Sequence, residues 1–175
     1  MDRETHMPTR RGVLLGGGAA AAVAAIAGAS IWRAGPGGAA EAGAFPVSLT
    51  EAEWRERLSP EAYAVLREEA TERPFSSPLN ELKAEGVFHC AGCDAALYPS
   101  STKYDSGTGW PSFWESLPDA VGTKVDYKLI YPRTEVHCAR CGGHLGHIFE
   151  DGPPPTGLRH CLNGVALRFE PAASA

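Results

Sequence analysis

The chain contains Cys90-Ala91-Gly92-Cys93 and, much further along, Cys138-Ala139-Arg140-Cys141, and these two stretches are the strongest indication of its architecture. Two residues between the cysteines of a pair let a tight turn direct both sulfurs at one metal ion. Two such turns complete a tetrahedral zinc site with Zn–S bonds of about 2.3 Å. Four thiolates leave no open coordination position, so the zinc predicted at Cys90, Cys93, Cys138 and Cys141 is structural.

The N-terminus is typical of a twin-arginine export signal. Residues 1–30 contain Thr9-Arg10-Arg11-Gly12-Val13-Leu14-Leu15, then an apolar stretch and a small-residue cleavage site at Ala27-Gly28-Ala29. We therefore predict a periplasmic or other extracytoplasmic protein that meets the membrane only through this signal. The alternative is a retained membrane anchor, although its glycines and alanines make this stretch a poor one.

Residues 31–47 are rich in Gly, Ala and Pro and predict a flexible linker, which places the folded domain at residues 48–172. Export raises an alternative for the paired cysteines, because disulfides persist in oxidising compartments. The twin-arginine route favours the metal site, because that route moves proteins that are already folded, with their metal bound.

The domain is predicted to begin with two short helices and to continue as β structure. Thr50 and Glu53 form a capping-box signature for a helix that ends near Arg57. Ser59-Pro60 begins a second helix, which stops before Pro74. Strand-like stretches follow at residues 86–90, 124–131, 135–138 and 159–169. We therefore expect a mainly β domain behind a helical start.

The charge of the chain argues against a nucleic-acid partner. The sequence has 16 Lys and Arg against 21 Asp and Glu, for a formal net charge of −5. No run or stripe of basic residues is present, and such a basic surface is the usual footprint of nucleic-acid binding.

Cys161 is the fifth cysteine, and it stands apart from the two pairs. On a strand, Arg159, Cys161 and Asn163 project from one face, and His160 is the neighbour on the other face. A cation near a thiol lowers the thiol pKa from about 8.5, which would make Cys161 a nucleophile. The alternative is a small buried core residue, and spacing alone does not separate the two interpretations.

Two further stretches carry residues suited to chemistry. His144 and His147 lie three residues apart, and they can be a proton donor with its orienting partner, metal ligands or turn residues. Four thiolates already satisfy a zinc ion, so the metal interpretation is the weaker one. The Gly-rich loop at residues 104–114 includes Trp110 and Phe113, which can form an apolar wall for a ligand or simply pack.

Residues 54–169 resemble the methionine-R-sulfoxide reductases of the B type. Several spaced motifs in the order of that family make the match specific. Beyond the two cysteine pairs they are Trp54-Arg55-Glu56-Arg57-Leu58-Ser59-Pro60-Glu61, Thr71-Glu72-Arg73-Pro74-Phe75-Ser76, Asp105-Ser106-Gly107-Thr108-Gly109-Trp110-Pro111-Ser112-Phe113, His144-Leu145-Gly146-His147, Asp151-Gly152-Pro153 and Arg159-His160-Cys161-Leu162-Asn163.

The resemblance implies a tent-like fold of two antiparallel sheets joined by the zinc site. It also implies a thiol-dependent oxidoreductase that reduces methionine-R-sulfoxide, free or in proteins, and so repairs oxidised proteins. Cys161 falls at the nucleophile of the family. His144, His147 and Asn163 fall at positions that shape the site and handle the substrate oxygen and its proton.

The resemblance also implies a substrate-binding set of four residues. Trp110 falls at the ring that holds the substrate methyl group, and Phe113 follows it in the same motif. Arg159 and Asp151 match supporting positions.

Three positions depart from the usual pattern of the family. Thr108 stands where many members have a resolving cysteine, so we expect an external thioredoxin-like dithiol to reduce the Cys161 sulfenic acid directly. His160 replaces a usual Tyr or Phe, and Gly164 replaces a usual Ser.

Two functions of other classes compete with this prediction. A zinc-ribbon interaction module would leave Cys161, His144 and His147 without a role. A general thiol oxidoreductase would use the Cys-x-x-Cys pairs themselves and would require them to be free of metal.

Overall fold

The structure is a computed structural model that describes residues 45–173. The predicted export signal at residues 1–30 and most of the predicted linker lie outside the described residues, so both stay predictions. Among the residues described, no helix combines the length and the apolarity that crossing a membrane requires.

Two short helices open the domain, as the sequence predicts. Helix α1 (Glu51–Arg57) begins with a capping box, because the Thr50 hydroxyl accepts from the Glu53 amide while the Glu53 carboxylate accepts from the Thr50 amide at 2.7 Å. Helix α2 (Pro60–Glu68) begins where the Ser59 hydroxyl accepts from the Ala62 amide. The predicted start and end of both helices are confirmed.

The rest of the domain forms two antiparallel sheets, which confirms the predicted fold class. One sheet has three strands in the order β2-β1-β9, and the other has six in the order β3-β4-β8-β7-β6-β5. The strands are β1 (Gly86–Cys90), β2 (Ala96–Pro99), β3 (Lys103–Tyr104), β4 (Ser112–Phe113), β5 (Val121–Asp126), β6 (Arg133–Cys138), β7 (His144–Phe149), β8 (Arg159–Leu162) and β9 (Leu167–Pro171).

The strand predicted at residues 124–131 was placed too late in the chain. The observed strand is β5, which pairs along its whole length with β6. It ends at Asp126 because the Asp126 carboxylate accepts a hydrogen bond from the Lys128 amide at 2.8 Å, and this local bond turns the backbone out of the sheet. Residues 127–132 then form an exposed loop rather than the end of a strand.

The single strand predicted at residues 159–169 is also wrong. The chain leaves the six-stranded sheet at Leu162, makes a 3-10 turn at Gly164–Ala166, and enters the three-stranded sheet as β9. The Glu72 carboxylate causes this break, because it accepts from the Gly164 and Val165 amides at 2.6 and 3.0 Å. Those two amides are therefore not free to continue a strand.

The core lies between the sheets and under α2. Phe88 of β1 meets Phe113 of β4 edge to face, with ring centroids 4.9 Å apart, and Tyr98 of β2 stacks at 4.6 Å on the same Phe113 ring. Helix α2 adds Val65 and Leu66, which are both buried. This packing holds the two sheets together and fixes the position of β8, which carries Cys161.

Candidate active site and four-cysteine cluster

The two Cys-x-x-Cys pairs come together as a buried cluster of four sulfurs. The four sulfur atoms all lie within 4.8 Å of one another. The Cys90 and Cys141 sulfurs are 3.7 Å apart, and those of Cys93 and Cys138 are 3.6 Å apart. A disulfide requires about 2.05 Å, whereas a tetrahedron of Zn–S bonds of about 2.3 Å has edges of about 3.8 Å. The cluster therefore fits a tetrahedral metal ion and is not disulfide-bonded.

Each cysteine pair is held by the same kind of turn at the end of a strand. The Asp94 amide donates to the Cys90 carbonyl at 2.9 Å, and the Gly142 amide donates to the Cys138 carbonyl at 2.8 Å. Asp94 and Gly142 both have positive φ, at 62° and 67°. Cys90 ends a strand of the three-stranded sheet and Cys138 ends a strand of the six-stranded sheet, so a metal ion here would join the two sheets.

A separate cavity of about 120 Å³ opens beside β7 and β8. Four residues singled out in the sequence line it, namely Cys161, His147, Asn163 and Trp110. Cys161 and His147 are register partners on neighbouring antiparallel strands, so their side chains project from the same face of the sheet. The other lining residues are Thr71, Arg133, Gly146, Phe149 and Leu162.

The Cys161 thiol lies against a group of hydroxyls. The Thr108 hydroxyl oxygen is 3.9 Å from the Cys161 sulfur, and the Ser106 hydroxyl is 2.8 Å from those of both Thr108 and Ser112. Burial raises the pKa of the Cys161 thiol, and the opposing effects of Thr108, Arg159 and Ser112 only partly offset it. The expected net lowering of the thiol pKa by a nearby cation is therefore wrong, although Arg159 does act in that direction.

His160 is next to Cys161 in the sequence, but it is not a cation beside the thiol. Its Nδ1 is 2.9 Å from the Tyr98 hydroxyl in a buried hydrogen bond. Burial lowers the pKa of His160 to about 4, so the ring is neutral at neutral pH. His160 therefore supports the core beneath Cys161 and contributes no charge to it.

Arg159 and Asp151 form an ion pair with two hydrogen bonds at the start of β8. The Arg159 guanidinium donates to both Asp151 carboxylate oxygens at 2.8 and 2.9 Å and stacks 4.4 Å over the Phe149 ring, which lines the cavity. Arg159 lowers the pKa of the Asp151 carboxyl, and Asp151 raises that of Arg159. Neither of the two residues lines the cavity, so the pair acts on the site through Phe149 and through its charge.

A buried acid lies beside each of the two histidines, and the sequence analysis singled out neither acid. His147 Nε2 donates to the Asp126 carboxylate at 2.8 Å, which leaves Nδ1 as the lone-pair nitrogen of the neutral ring. Burial lowers the pKa of His147, and Asp126 only partly offsets this effect. The pKa of Asp126 is itself lowered by the hydrogen bonds from the Lys128 amide, His147 and Arg133.

His144 lies behind His147 and does not line the cavity. Its Nδ1 is 3.1 Å from a carboxylate oxygen of Glu135, without the alignment of a hydrogen bond, and its ring centroid is 5.3 Å from that of His147. Burial raises the pKa of Glu135, but His144 and Lys124 outweigh it, so the pKa of Glu135 is lowered overall. The structure therefore places His144 as a support of His147 rather than as a wall of the cavity.

Glu72 ties Asn163 and Trp110 to the same backbone segment. The Asn163 amide group donates to the Leu145 carbonyl at 3.0 Å, and its oxygen accepts from the Glu72 amide at 2.9 Å. The Trp110 indole donates to the Glu72 carbonyl at 3.2 Å. Glu72 lies in the motif at residues 71–76, but its role depends on contacts with residues about ninety positions further along the chain. No local sequence pattern indicates such contacts.

Phe113 does not reach the cavity. Its side chain is fully buried between the sheets, against Phe88 and Tyr98. The structure therefore places it in the core, as the packing alternative predicted for this aromatic residue.

Gly164, which stands where Ser is usual in the family, has no room for a larger side chain. A Cβ on Gly164 would overlap the Ser77 side chain.

Comparison with known proteins gives consistent matches over this domain. The SelR domain matches residues 58–171. The chain is 52% identical over 126 residues to "Peptide methionine sulfoxide reductase MsrB" of Agrobacterium fabrum, which covers 71% of this chain and 93% of that protein. It is 53% identical over 123 residues to the protein of the same name from Thiobacillus denitrificans, and this match covers 70% of this chain and 93% of that protein. "Peptide methionine sulfoxide reductase B1, chloroplastic" of Arabidopsis thaliana is 51% identical to this chain over 123 residues. This match covers 70% of this chain and 61% of that protein.

The contact between Asp126 and His147 predicts the effect of Asp126→Asn. Asparagine can still accept the hydrogen bond but lacks the negative charge that raises the pKa of His147, so that pKa should fall below its value in the unmodified protein. An NMR titration of the histidine side chains measures this. Glu61→Gln, the same charge change on the exposed face of α2, should leave the pKa of His147 where it is. A pKa of His147 that rises or stays constant in Asp126→Asn would contradict this electrostatic role.

Proposed function

Because the chain belongs to the SelR-domain family, whose relatives above are peptide methionine sulfoxide reductases, we propose that it is an oxidoreductase that repairs methionine sulfoxide in proteins. We further propose that it acts on the R-epimer and also accepts free methionine sulfoxide, with Cys161 as the nucleophile. The single observation that carries this proposal is the cavity wall on which Cys161, His147 and Trp110 lie together.

The proposed reaction moves one oxygen atom from the substrate sulfur to the Cys161 sulfur. The sulfoxide gains two electrons and becomes the thioether of methionine, and the thiol loses two electrons and becomes a sulfenic acid. The thiol proton ends on the transferred oxygen, so atoms and charge balance. Trp110 supplies an apolar surface for the substrate methyl group, which would select the epimer whose oxygen points toward His147.

His147 is suited to carry the proton in this reaction. The Cys161 thiol has a raised pKa and His147 has a lowered one, so the resting pair at neutral pH is a neutral thiol and a neutral imidazole. Neutral imidazole can accept the thiol proton as the thiolate attacks and can then donate it to the sulfoxide oxygen. Asp126 stabilises the imidazolium that forms between these two steps, because the carboxylate accepts from its Nε2–H. His144 and Asn163 hold the geometry of this pair.

Regeneration of the thiol is proposed to use an external dithiol of the thioredoxin type. The other four cysteines are buried in one cluster, and Thr108 is the residue whose side chain lies 3.9 Å from the Cys161 sulfur. The dithiol would reduce the sulfenic acid to the thiol and become a disulfide, and water would leave with the oxygen.

The metal proposed for the four-cysteine cluster is zinc in a structural role. Four thiolates at tetrahedral spacing are a common donor set of structural zinc sites. This donor set opposes the alternative in which the Cys-x-x-Cys pairs are themselves redox-active. A metal held by all four would leave Cys161 as the free thiol of the chain.

The cellular place of the reaction is proposed from the N-terminal residues. The twin-arginine pattern at residues 9–15 and the apolar stretch behind it support export to the periplasm or another extracytoplasmic space. If the signal is retained rather than cleaved, it would anchor the domain to the outer side of the membrane.

The role of Cys161 predicts the result of Cys161→Ser. A serine hydroxyl is not ionised near neutral pH and cannot form a sulfenic acid, so turnover of methionine-R-sulfoxide should fall to background. Turnover of separate R- and S-epimers with dithiothreitol measures both the loss and the specificity. The matched control is Thr156→Ser, which keeps an exposed hydroxyl near the end of β4 and should keep full activity. Retention of sulfoxide turnover by a folded Cys161→Ser protein would rule out the nucleophile.

The position of Thr108 predicts how the oxidised enzyme behaves. After one turnover without reductant, mass spectrometry should find a sulfenic acid on Cys161 and no disulfide from Cys161 to another cysteine of the chain. The variant Thr108→Cys places a thiol beside Cys161 and should instead give an intramolecular disulfide, because the Thr108 hydroxyl already lies 3.9 Å from the sulfur. A Cys161 disulfide in the unsubstituted chain would contradict direct reduction by an external dithiol.

A further inference from the structure

The loop between β5 and β6, residues 127–132, exposes an unusual amount of apolar surface. Its exposed side chains include Tyr127 at 75%, Leu129 at 45%, Ile130 at 104% and Tyr131 at 57% of their full accessible area. Single exposed apolar residues are ordinary, but a contiguous group of them marks an interaction site. We call residues 127–132 the apolar loop.

The apolar loop is held in place by polar contacts at its base. Lys128 is its one charged residue, and its ammonium lies 2.6 Å from the Glu69 carboxylate at the end of α2. The Lys128 amide donates to the Asp126 carboxylate at 2.8 Å. These contacts use the polar groups of the loop to fix its course, and the apolar side chains are left facing solvent.

The two residues that flank the apolar loop belong to the candidate active site. Asp126, directly before it, accepts from His147. Arg133, directly after it, lines the cavity and lies 2.6 Å from the Asp126 carboxylate. The apolar loop is therefore anchored on both sides by an ion pair of which Arg133 lines the cavity and Asp126 contacts His147, a cavity residue.

The size of the cavity explains why a surface beside it matters. At about 120 Å³ it is well below the roughly 300–1,000 Å³ of pockets that enclose a whole drug-sized ligand. It can take the end of one side chain, so the neighbours of an oxidised methionine in a polypeptide must lie outside it. Methionine fills apolar cores, and its oxidation disrupts them, so these neighbours are often apolar side chains that have become exposed.

We propose that the apolar loop binds the apolar residues that flank methionine sulfoxide in an unfolded segment of an oxidised protein. This inference rests on the proposed function and names its preferred substrate class. The occupant is an extended polypeptide whose sulfoxide side chain enters the cavity while its apolar neighbours contact Tyr127, Leu129, Ile130 and Tyr131. Free methionine sulfoxide has no neighbours and gains nothing from this surface.

The test compares Ile130→Ser with the conservative control Ile130→Leu in the full chain. The substrates are N-acetyl-methionine-R-sulfoxide amide, a peptide with the sulfoxide between leucine and phenylalanine, and a peptide with it between glycine and serine, all with dithiothreitol. For Ile130→Ser, kcat/KM on the apolar peptide should fall on the order of tenfold, which is about 1.4 kcal/mol of lost interaction. The values on the amide and on the Gly/Ser peptide should not change, and Ile130→Leu should behave as the unsubstituted chain.

Several results would overturn the proposal. Equal losses on all three substrates would mean a structural defect, and no loss on the apolar peptide would mean that the loop does not bind it. If sedimentation velocity shows that Ile130→Ser changes the oligomeric state while kcat/KM on the apolar peptide holds, the loop contacts a second copy instead. If the assays are repeated with a protein dithiol in place of dithiothreitol, a loss that occurs only then would assign the loop to the reductant. If the unsubstituted chain turns over none of the three substrates, the proposed function fails, and this inference fails with it.

Discussion

The cluster of four cysteine sulfurs is the constraint on which the rest of the structure depends. It lies where β1 of the three-stranded sheet and β6 of the six-stranded sheet both end, so a metal ion held there would join two sheets that share no strand pairing. The strand after β6 is β7, which carries both histidines, and β7 pairs with β8, which carries Cys161. A metal ion at the cluster would thus help to set the position of the cavity. A second link between the sheets is the crossing from β8 to β9, where Glu72 holds the Gly164 and Val165 amides.

The candidate site is governed by burial more than by local charge. Burial raises the pKa of the Cys161 thiol and lowers that of His147, so neither group is charged in the resting state at neutral pH. In the proposed reaction a proton would therefore move between neutral groups, and the Asp126 carboxylate, which accepts from His147, would stabilise the charged histidine when it forms. The hydroxyls of Thr108 and Ser112 offer the Cys161 sulfur polar neighbours without adding a charge, and the Ser106 hydroxyl contacts both of them.

The sequence predicts structural features that depend on neighbouring residues, such as helix caps and metal-binding turns. It does not predict features that depend on contacts with residues far away in the chain. The capping box at Thr50 and the cysteine spacing are local signals, and both predictions hold in the structure. The prediction of one strand at residues 159–169 is wrong because the alternating residue pattern continues across the 3-10 turn. Glu72, which is distant in the sequence, holds that turn. Asp126 and Glu135 were missed as partners of the histidines because the order of β5, β6 and β7 in the sheet, which sequence spacing does not reveal, brings these side chains together. Phe113 shares a motif with Trp110, yet the pleat of β4 turns its ring into the core.

The metal content of the native full chain, measured by inductively coupled plasma mass spectrometry, is the most direct test of the role given to the sulfur cluster. A metal held by Cys90, Cys93, Cys138 and Cys141 predicts one zinc ion per chain, and it predicts that Cys138→Ser loses both the zinc and cooperative unfolding. Cys161→Ser should retain the zinc in full, because that sulfur lies in the separate cavity. A folded native chain that contains no zinc, with its Cys-x-x-Cys pairs as disulfides, would contradict the account.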